Sequence, residues 1–169
     1  MKIRMKIIAK RILLALVTLL LLIQFVPRPK KNIDANISND ITKFHSVPLD
    51  VQSVLKTCCY DCHSNNTYYP WYYNLQPVAW WLGNHIEEGK KELNFSEFAI
   101  YSITRQYRKL EEISKEVKEG EMPLPSYTLI HRYAKLTAEQ KLVIINWAVM
   151  LRDSMQRNYP ADSLIRKKK

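Results

Sequence analysis

Two cysteines and a histidine lie within five consecutive positions of the chain, in the run Cys59-Tyr60-Asp61-Cys62-His63. Side chains three and four residues apart lie on neighbouring parts of one helical turn. The spacing therefore predicts a short helical segment that presents both thiols and the imidazole to one place. Cysteines this close together cannot cross-link distant parts of a fold, so the run indicates a chemical site and not a disulfide framework.

The Cys-x-x-Cys-His pattern is the attachment motif of c-type haem. Each thiol can add to one vinyl group on the porphyrin edge, and the imidazole of His63 can then bind the iron from one face. The motif predicts one covalently bound haem c per chain, attached through Cys59 and Cys62. Cys58 lies outside this spacing and is expected to be a small buried residue.

Two other chemistries also use closely spaced cysteines. A zinc site would need a second pair of ligands, and the remaining histidines, His45, His85 and His131, are isolated in the sequence. A thiol-redox site would need a strand–helix–strand frame, which the sequence does not indicate. Both alternatives are therefore weaker than haem attachment.

The N-terminal segment carries the pattern of an export signal. Five basic residues precede fifteen mainly apolar residues, 12–26, and three more basic residues follow. Nothing typical of a cleavage site follows, which favours a membrane anchor over a cleaved signal peptide and a soluble periplasmic protein. The distribution of basic residues indicates a cytoplasmic N-terminus, so the remainder is expected on the periplasmic face of the inner membrane. Haem is attached through this motif outside the cytoplasm, so both features indicate one compartment.

The net charge of +10 would suit a nucleic-acid-binding protein, but its distribution argues against one. Residues 1–31 hold eight basic residues and no acidic residue, and residues 166–169 hold four more basic residues. Residues 32–165 hold 14 basic and 16 acidic residues. We therefore expect no nucleic-acid partner.

The same distribution divides the chain into a signal or anchor segment (1–31), a haem-binding domain (32–165) and a basic tail (166–169). Residues 27–47, polar with two prolines, are expected to form a tether.

Apolar residues recur at helical spacing through most of the domain, and the chain has only three glycines. Both properties predict an all-α fold of about four helices. Pro48 opens the helix that leads into the motif, and Pro77 opens a second one. Asn94 or Ser96 is expected to cap a third helix, which Gly120 ends.

Thr137 and Gln140 form a capping-box pattern at the start of a final helix. Its expected buried residues are Leu142, Ile145, Trp147, Val149 and Met155. Aromatic residues elsewhere are expected to line the haem or the core: Trp71, Tyr72, Trp80, Trp81 and Tyr127.

The sequence around and after the motif resembles the bacterial haem-binding domain family, which is related to monohaem cytochromes c. The similarity covers about residues 40–155. It rests on the attachment motif and on the stretches Ser64-Asn65-Asn66-Thr67, Tyr69-Pro70-Trp71-Tyr72, Pro77-Val78-Ala79-Trp80-Trp81, His85-Ile86, Glu88-Gly89-Lys90, Leu93-Asn94-Phe95-Ser96 and Gly120-Glu121-Met122-Pro123. The resemblance implies a small cytochrome c-like helical domain that faces the periplasm and carries c-type haem. It supplies neither a reaction nor a partner.

Met122 is the leading candidate for the second axial ligand of the iron, opposite His63. It follows the helix stop at Gly120 and precedes Pro123, which restricts the methionine to extended geometry. A thioether is a soft ligand that raises the reduction potential of a haem. His85 is the alternative ligand, and an open sixth position is a further possibility.

A haem with two axial ligands and one edge near the surface transfers electrons. The predicted function is therefore that of a membrane-tethered periplasmic electron carrier. The alternative is a haem-based sensor or an accessory subunit of a membrane complex. No pair of residues suited to catalysis at an open iron is evident, so an enzyme is not expected. The sequence does not identify the redox partner.

Overall fold

The computed structural model describes residues 2–34 and 36–165. Their regular elements are helical, apart from an isolated bridge between Ile33 and Asn66, so the predicted all-α class is confirmed. The α-helices are α1 (Lys2–Ile23), α2 (Ile41–Phe44), α3 (Leu49–Cys58), α4 (Tyr60–His63), α5 (Val78–Glu92), α6 (Ile103–Glu119), α7 (Pro125–Ile130), α8 (Ala138–Asn158) and α9 (Ala161–Leu164). Short 3-10 helices span Trp71–Asn74, Phe95–Ile100 and Arg132–Ala134. The predicted basic tail, 166–169, lies outside the described residues.

The main core forms where α6 packs against α8, and α3 packs against the same helix. Leu110 and Ile113 of α6 are buried at the expected helical spacing and share one cluster with Ile144 and Trp147 of α8. α6 ends at Gly120, whose φ of 81° lies in the left-handed region that favours glycine, as the sequence predicts. This stop directs the following segment back toward the attachment motif.

The start of the third predicted helix differs from the expectation. The side chain of Asn94 accepts a hydrogen bond from the amide of Ser96, but it caps the short 3-10 helix Phe95–Ile100. α6 starts later, after Ser102, whose hydroxyl accepts from the amide of Arg105. Asn94 and Ser102 both cap a helix, so this segment forms two helices where apolar spacing alone predicts one.

The buried face of α8 also differs from the expectation. The capping box of Thr137 and Gln140 is present, so the helix begins where predicted. Leu142 and Val149, however, are 58% and 42% exposed, and the buried residues are Ile144, Trp147, Ala148 and Met155. Because apolar side chains surround much of α8, their spacing alone does not identify the buried face.

The predicted tether is wrong, because its residues pack against the domain. Residues 24–34, which we call the strap, lie against the 3-10 helix Trp71–Asn74 and the start of α5. The amide side chain of Gln24 donates to the carbonyl of Gln76 at 2.9 Å and accepts from its amide at 3.0 Å. The hydroxyl of buried Tyr73 donates to the carbonyl of Pro29 at 3.0 Å. After the strap, Ile41 and Val47 are buried in the main core.

The helix α1 carries the apolar run on which the predicted anchor was based, and its apolar side chains in the range 5–22 are exposed. Among the described residues, none of the helices combines the length and the apolar character needed to cross a membrane.

Candidate functional site

The five-residue motif spans a break between α3 and α4. α3 ends at Cys58, α4 begins at Tyr60, and the amide of His63 donates to the carbonyl of Cys59 at 3.0 Å, which closes one helical turn. This turn brings Cys59, Cys62 and His63 to the wall of one cavity. The side chains that the motif predicts to act together therefore lie side by side.

The imidazole of His63 is oriented by two backbone carbonyls. Its Nδ1 lies 2.9 Å from the carbonyl oxygen of Gly89 and 2.9 Å from that of Leu93. Carbonyl oxygens only accept hydrogen bonds, so Nδ1 carries the proton and Nε2 keeps a free lone pair. Burial lowers the pKa of His63 and so favours this neutral form. A metal-ligating histidine is commonly held by a second-shell acceptor in this way.

The close approach of α5 to the motif requires a glycine at position 89. A Cβ atom there would lie 2.9 Å from the carbonyl oxygen of Cys62 and 3.4 Å from its Cβ. Gly89 therefore allows α5 to come near enough for its own carbonyl to reach His63. The sequence contains this signal only as an unexplained glycine inside an otherwise regular helical pattern.

Two adjoining cavities surround the motif. The first cavity has a volume of about 300 Å³ and extends from His63 to α6 and α8, where Leu55, Phe95 and Ile113 contribute apolar walls. The second cavity, of about 290 Å³, is lined by all three cysteines and by part of α5. Four residues line both cavities: Cys59, His63, Glu92 and Met122. Together the cavities reach the size range of cofactor sites.

The thiols at this site are protonated at neutral pH. Burial raises the pKa of Cys59, and it raises the pKa of Cys62 to about 11. Cys58 is buried, as the sequence predicts, and burial raises the pKa of its thiol as well. Cys58 also lines the second cavity. Cys58 differs from Cys59 and Cys62, which are only half-buried, and it also lies outside the motif spacing.

Both candidates for the sixth iron ligand border the cavities, in different positions. Met122 lines both cavities, whereas His85 lines only the second one. The Nδ1 atom of His85 lies 2.8 Å from the carbonyl oxygen of Trp81 in its own helix. Of the two candidates, only Met122 lines both of the cavities that His63 lines.

A buried ammonium group forms part of the wall of the first cavity. The side chain of Lys109 is only 3% exposed, and its Nζ lies 3.0 Å from a carboxylate oxygen of Glu92 and 2.5 Å from one of Glu112. The hydrogen bond from Lys109 lowers the pKa of Glu92. A buried charge is tolerated when it is paired in this way. The sequence shows these residues only as ordinary helix-surface charges.

The aromatic residues differ in how far they meet the expectation. Tyr127 lines the second cavity, and its hydroxyl donates to a carboxylate oxygen of Asp61 at 2.6 Å. Tyr72 is half-buried, whereas Trp71 and Trp81 are exposed. These two tryptophans therefore do not belong to the core, and neither lines the two cavities.

The remaining histidines lie away from the two cavities. The Nε2 atom of His45 is 2.9 Å from the side-chain oxygen of Gln106, and buried His131 contacts Tyr72 and Tyr133. Within the part of the chain that the structure describes, no three histidine, cysteine or acidic side chains converge as metal ligands.

Comparison with protein-family models identifies one family. The model of the haem-binding domain matches residues 18–150, which is most of the chain and includes the motif, both cavities and the strap. Searches among curated proteins and among solved structures return no match.

The contact at Gly89 provides a test of the site geometry. At an exposed position inside a helix, a change from glycine to alanine stabilises the helix by about 1 kcal/mol. Gly89→Ala should instead lower the free energy of unfolding by about 1–3 kcal/mol, because the new methyl group meets the Cys62 carbonyl. Urea denaturation of the haem-loaded protein measures the change. Asn84→Ala, at an exposed position of α5, should cause no loss, and a stabilised Gly89→Ala protein would show that the close approach is not required.

Proposed function

The chain belongs to the haem-binding domain family, and we propose that it carries one c-type haem, attached covalently through Cys59 and Cys62. In this proposal His63 and Met122 are the residues that would hold the iron. The protein then acts as an electron carrier on the outer side of the cytoplasmic membrane. A bound haem would supply a one-electron couple at its iron.

The orientation of His63 is the observation that carries the proposal. Two carbonyls hold its Nδ1 proton, so the lone pair of Nε2 is available as a ligand. Both thiols of the motif lie on the same cavity as this histidine. One short segment therefore provides the groups for covalent attachment and for axial ligation.

Other residues that line the two cavities also support the proposal of a bound haem. Met122 lines both cavities, so its thioether and the imidazole of His63 border the same space. The apolar side chains of the first cavity exclude water, and such a shell helps to set the reduction potential of a buried metal centre. Iron with two protein ligands favours electron transfer over the binding of external molecules.

The proposed compartment rests on the N-terminal segment. Its basic residues followed by an apolar run are typical of export, and the attachment chemistry takes place outside the cytoplasm. We propose that the segment delivers the domain to the periplasm, at the inner membrane or after cleavage. The partner would be another redox protein in that compartment.

Replacing Met122 tests the axial ligation. Met122→Ala should remove the sulfur-to-iron charge-transfer band of the oxidised protein, allow carbon monoxide to bind the reduced iron and lower the reduction potential. His85→Ala is the matched control and should retain the band. If the wild type lacks the band and only His85→Ala opens the iron, His85 is the ligand. Rapid binding of carbon monoxide by the wild type would favour a sensor over an electron carrier.

Serine variants of the three cysteines test the attachment. Cys58→Ser should retain covalent haem, seen as a haem-stained band after denaturing electrophoresis. Cys59→Ser and Cys62→Ser should each weaken or remove that band, because each deletes one thioether. A band that survives Cys59→Ser and is lost with Cys58→Ser would assign the attachment to Cys58.

Expression without the export segment tests the compartment. Residues 24–169 lack α1 but keep the strap contacts, so the domain retains its packing. Produced in the cytoplasm, this chain should contain no covalent haem. The same chain behind a cleavable export signal should acquire haem. Covalent haem in the cytoplasmic product, without export machinery, would contradict the proposed compartment.

A further inference from the structure

The segment that carries Met122 is fixed firmly at its first end. The amides of Gly120, Glu121 and Met122 all donate to the carbonyl of Glu116, at 3.1, 3.0 and 3.3 Å. These bonds use a carbonyl that the end of α6 leaves without a partner in the helix. The end of α6 thus fixes where the Met122 segment begins.

The second end of this segment is the short helix α7, which is held in another way. All of α7 is described, and none of its residues is buried. Leu129 and Ile130 are 75% and 60% exposed. Tyr127 packs against the main core, but Leu129 and Ile130 bury little surface, so polar contacts also hold α7 in position.

The strongest of these contacts joins α7 to the attachment motif itself. The hydroxyl of Tyr127 donates to Oδ2 of Asp61 at 2.6 Å, and Asp61 lies between Cys59 and Cys62. Hydrogen bonds to ionised groups are about twice as strong as neutral ones. Burial and the bond to Asp61 raise the pKa of Tyr127, so its hydroxyl keeps the proton that it donates.

A second contact supports the same tyrosine. The ring of Tyr127 stacks on His131, with centroids 4.3 Å apart and planes inclined by 17°. His131 is hydrogen-bonded through Nε2 to the hydroxyl of Tyr72 and through Nδ1 to that of Tyr133. Tyr72 belongs to the 3-10 helix that follows the motif. α7 is thus attached to the motif through Asp61 and, through His131, to this 3-10 helix.

We propose that Tyr127 is a positioning residue that holds Met122 across the cavity from His63. This inference rests on the proposed ligation of the iron by Met122. Tyr127 lines the second cavity together with Met122, Cys59 and Cys62. Its hydrogen bond joins the covalent attachment site to the segment with the sixth ligand, so the two sides of the haem site are fixed relative to each other.

Tyr127→Phe in the full, haem-loaded protein tests this role, because it removes only the hydroxyl. The covalent haem should be retained, since the three residues of the motif are unchanged. The sulfur-to-iron charge-transfer band of the oxidised protein should weaken. Loss of a hydrogen bond to a charged group should raise the carbon-monoxide-accessible fraction of the reduced protein by about tenfold or more.

Tyr73→Phe is the matched control. Tyr73 is a buried tyrosine whose hydroxyl also donates a hydrogen bond to the protein, but its partner is the carbonyl of Pro29 in the strap. This variant should keep the band and remain unreactive toward carbon monoxide. The pair therefore separates loss of a buried hydroxyl bond in general from loss of this particular bond.

A double-mutant cycle gives a second measurement. Asp61→Ala should reproduce the spectrum of Tyr127→Phe, and the two changes together should add little to either alone, because both remove one interaction. Each sample is compared at equal covalent haem content, judged by haem staining. Fully additive effects of the two substitutions on the accessible fraction would overturn the inference.

The outcomes distinguish this inference from the proposed function. A wild type with the band, a Tyr127→Phe protein that loses it and a Tyr73→Phe protein that keeps it support the positioning role. If the wild type has the band and Tyr127→Phe matches it, or both tyrosine variants lose it equally, the positioning role is wrong and Met122 ligation stands. If the wild type lacks the band, Met122 ligation fails, and the inference fails with it.

Discussion

The hydrogen bonds from the His63 imidazole to the end of α5 are the interaction on which the site depends. The carbonyl of Leu93 lies just beyond that helix, and the carbonyl of Gly89 lies in its last turn, where it also accepts from the amide of Leu93. The negative end of the helix dipole lies there too, so the proton on Nδ1 is held and Nε2 becomes a better donor to a metal. Position 89 is a glycine because a Cβ atom there would prevent α5 from coming this close to the motif. One imidazole therefore determines how closely α5 and α4 pack.

The two cavities give the site an asymmetric surrounding. On the side of α6 and α8 the wall is mainly apolar, with the paired ammonium of Lys109 as a fixed charge. On the side of α7 the wall contains thiols, Tyr127 and the proline after Met122. Close packing on the first side makes that wall rigid. The second side consists of a short, exposed helix held by polar contacts, so it is the side on which a change of position costs least.

The sequence predicts what depends on local spacing, and it misses what depends on contacts between distant segments. The grouping of the motif side chains, the stop at Gly120 and the capping box at Thr137 follow from neighbouring residues, and the structure shows all three. The carbonyl partners of His63 lie 26 and 30 positions away, and Asp61 meets Tyr127 across 66 positions. Proline and polar residues in the strap suggested a flexible connection, because composition does not reveal that its carbonyls find donors.

The strap determines how far the haem site can travel from α1. Eleven free residues could span about 36–40 Å when extended, since each residue adds about 3.3–3.6 Å. Gln24 is bound to Gln76 by a pair of hydrogen bonds directly after α1, and the hydroxyl of Tyr73 holds the next part of the strap, so this slack is removed. The motif and its two cavities therefore keep a fixed distance from the end of α1. A molecule that approaches this site meets a surface whose orientation relative to α1 does not vary.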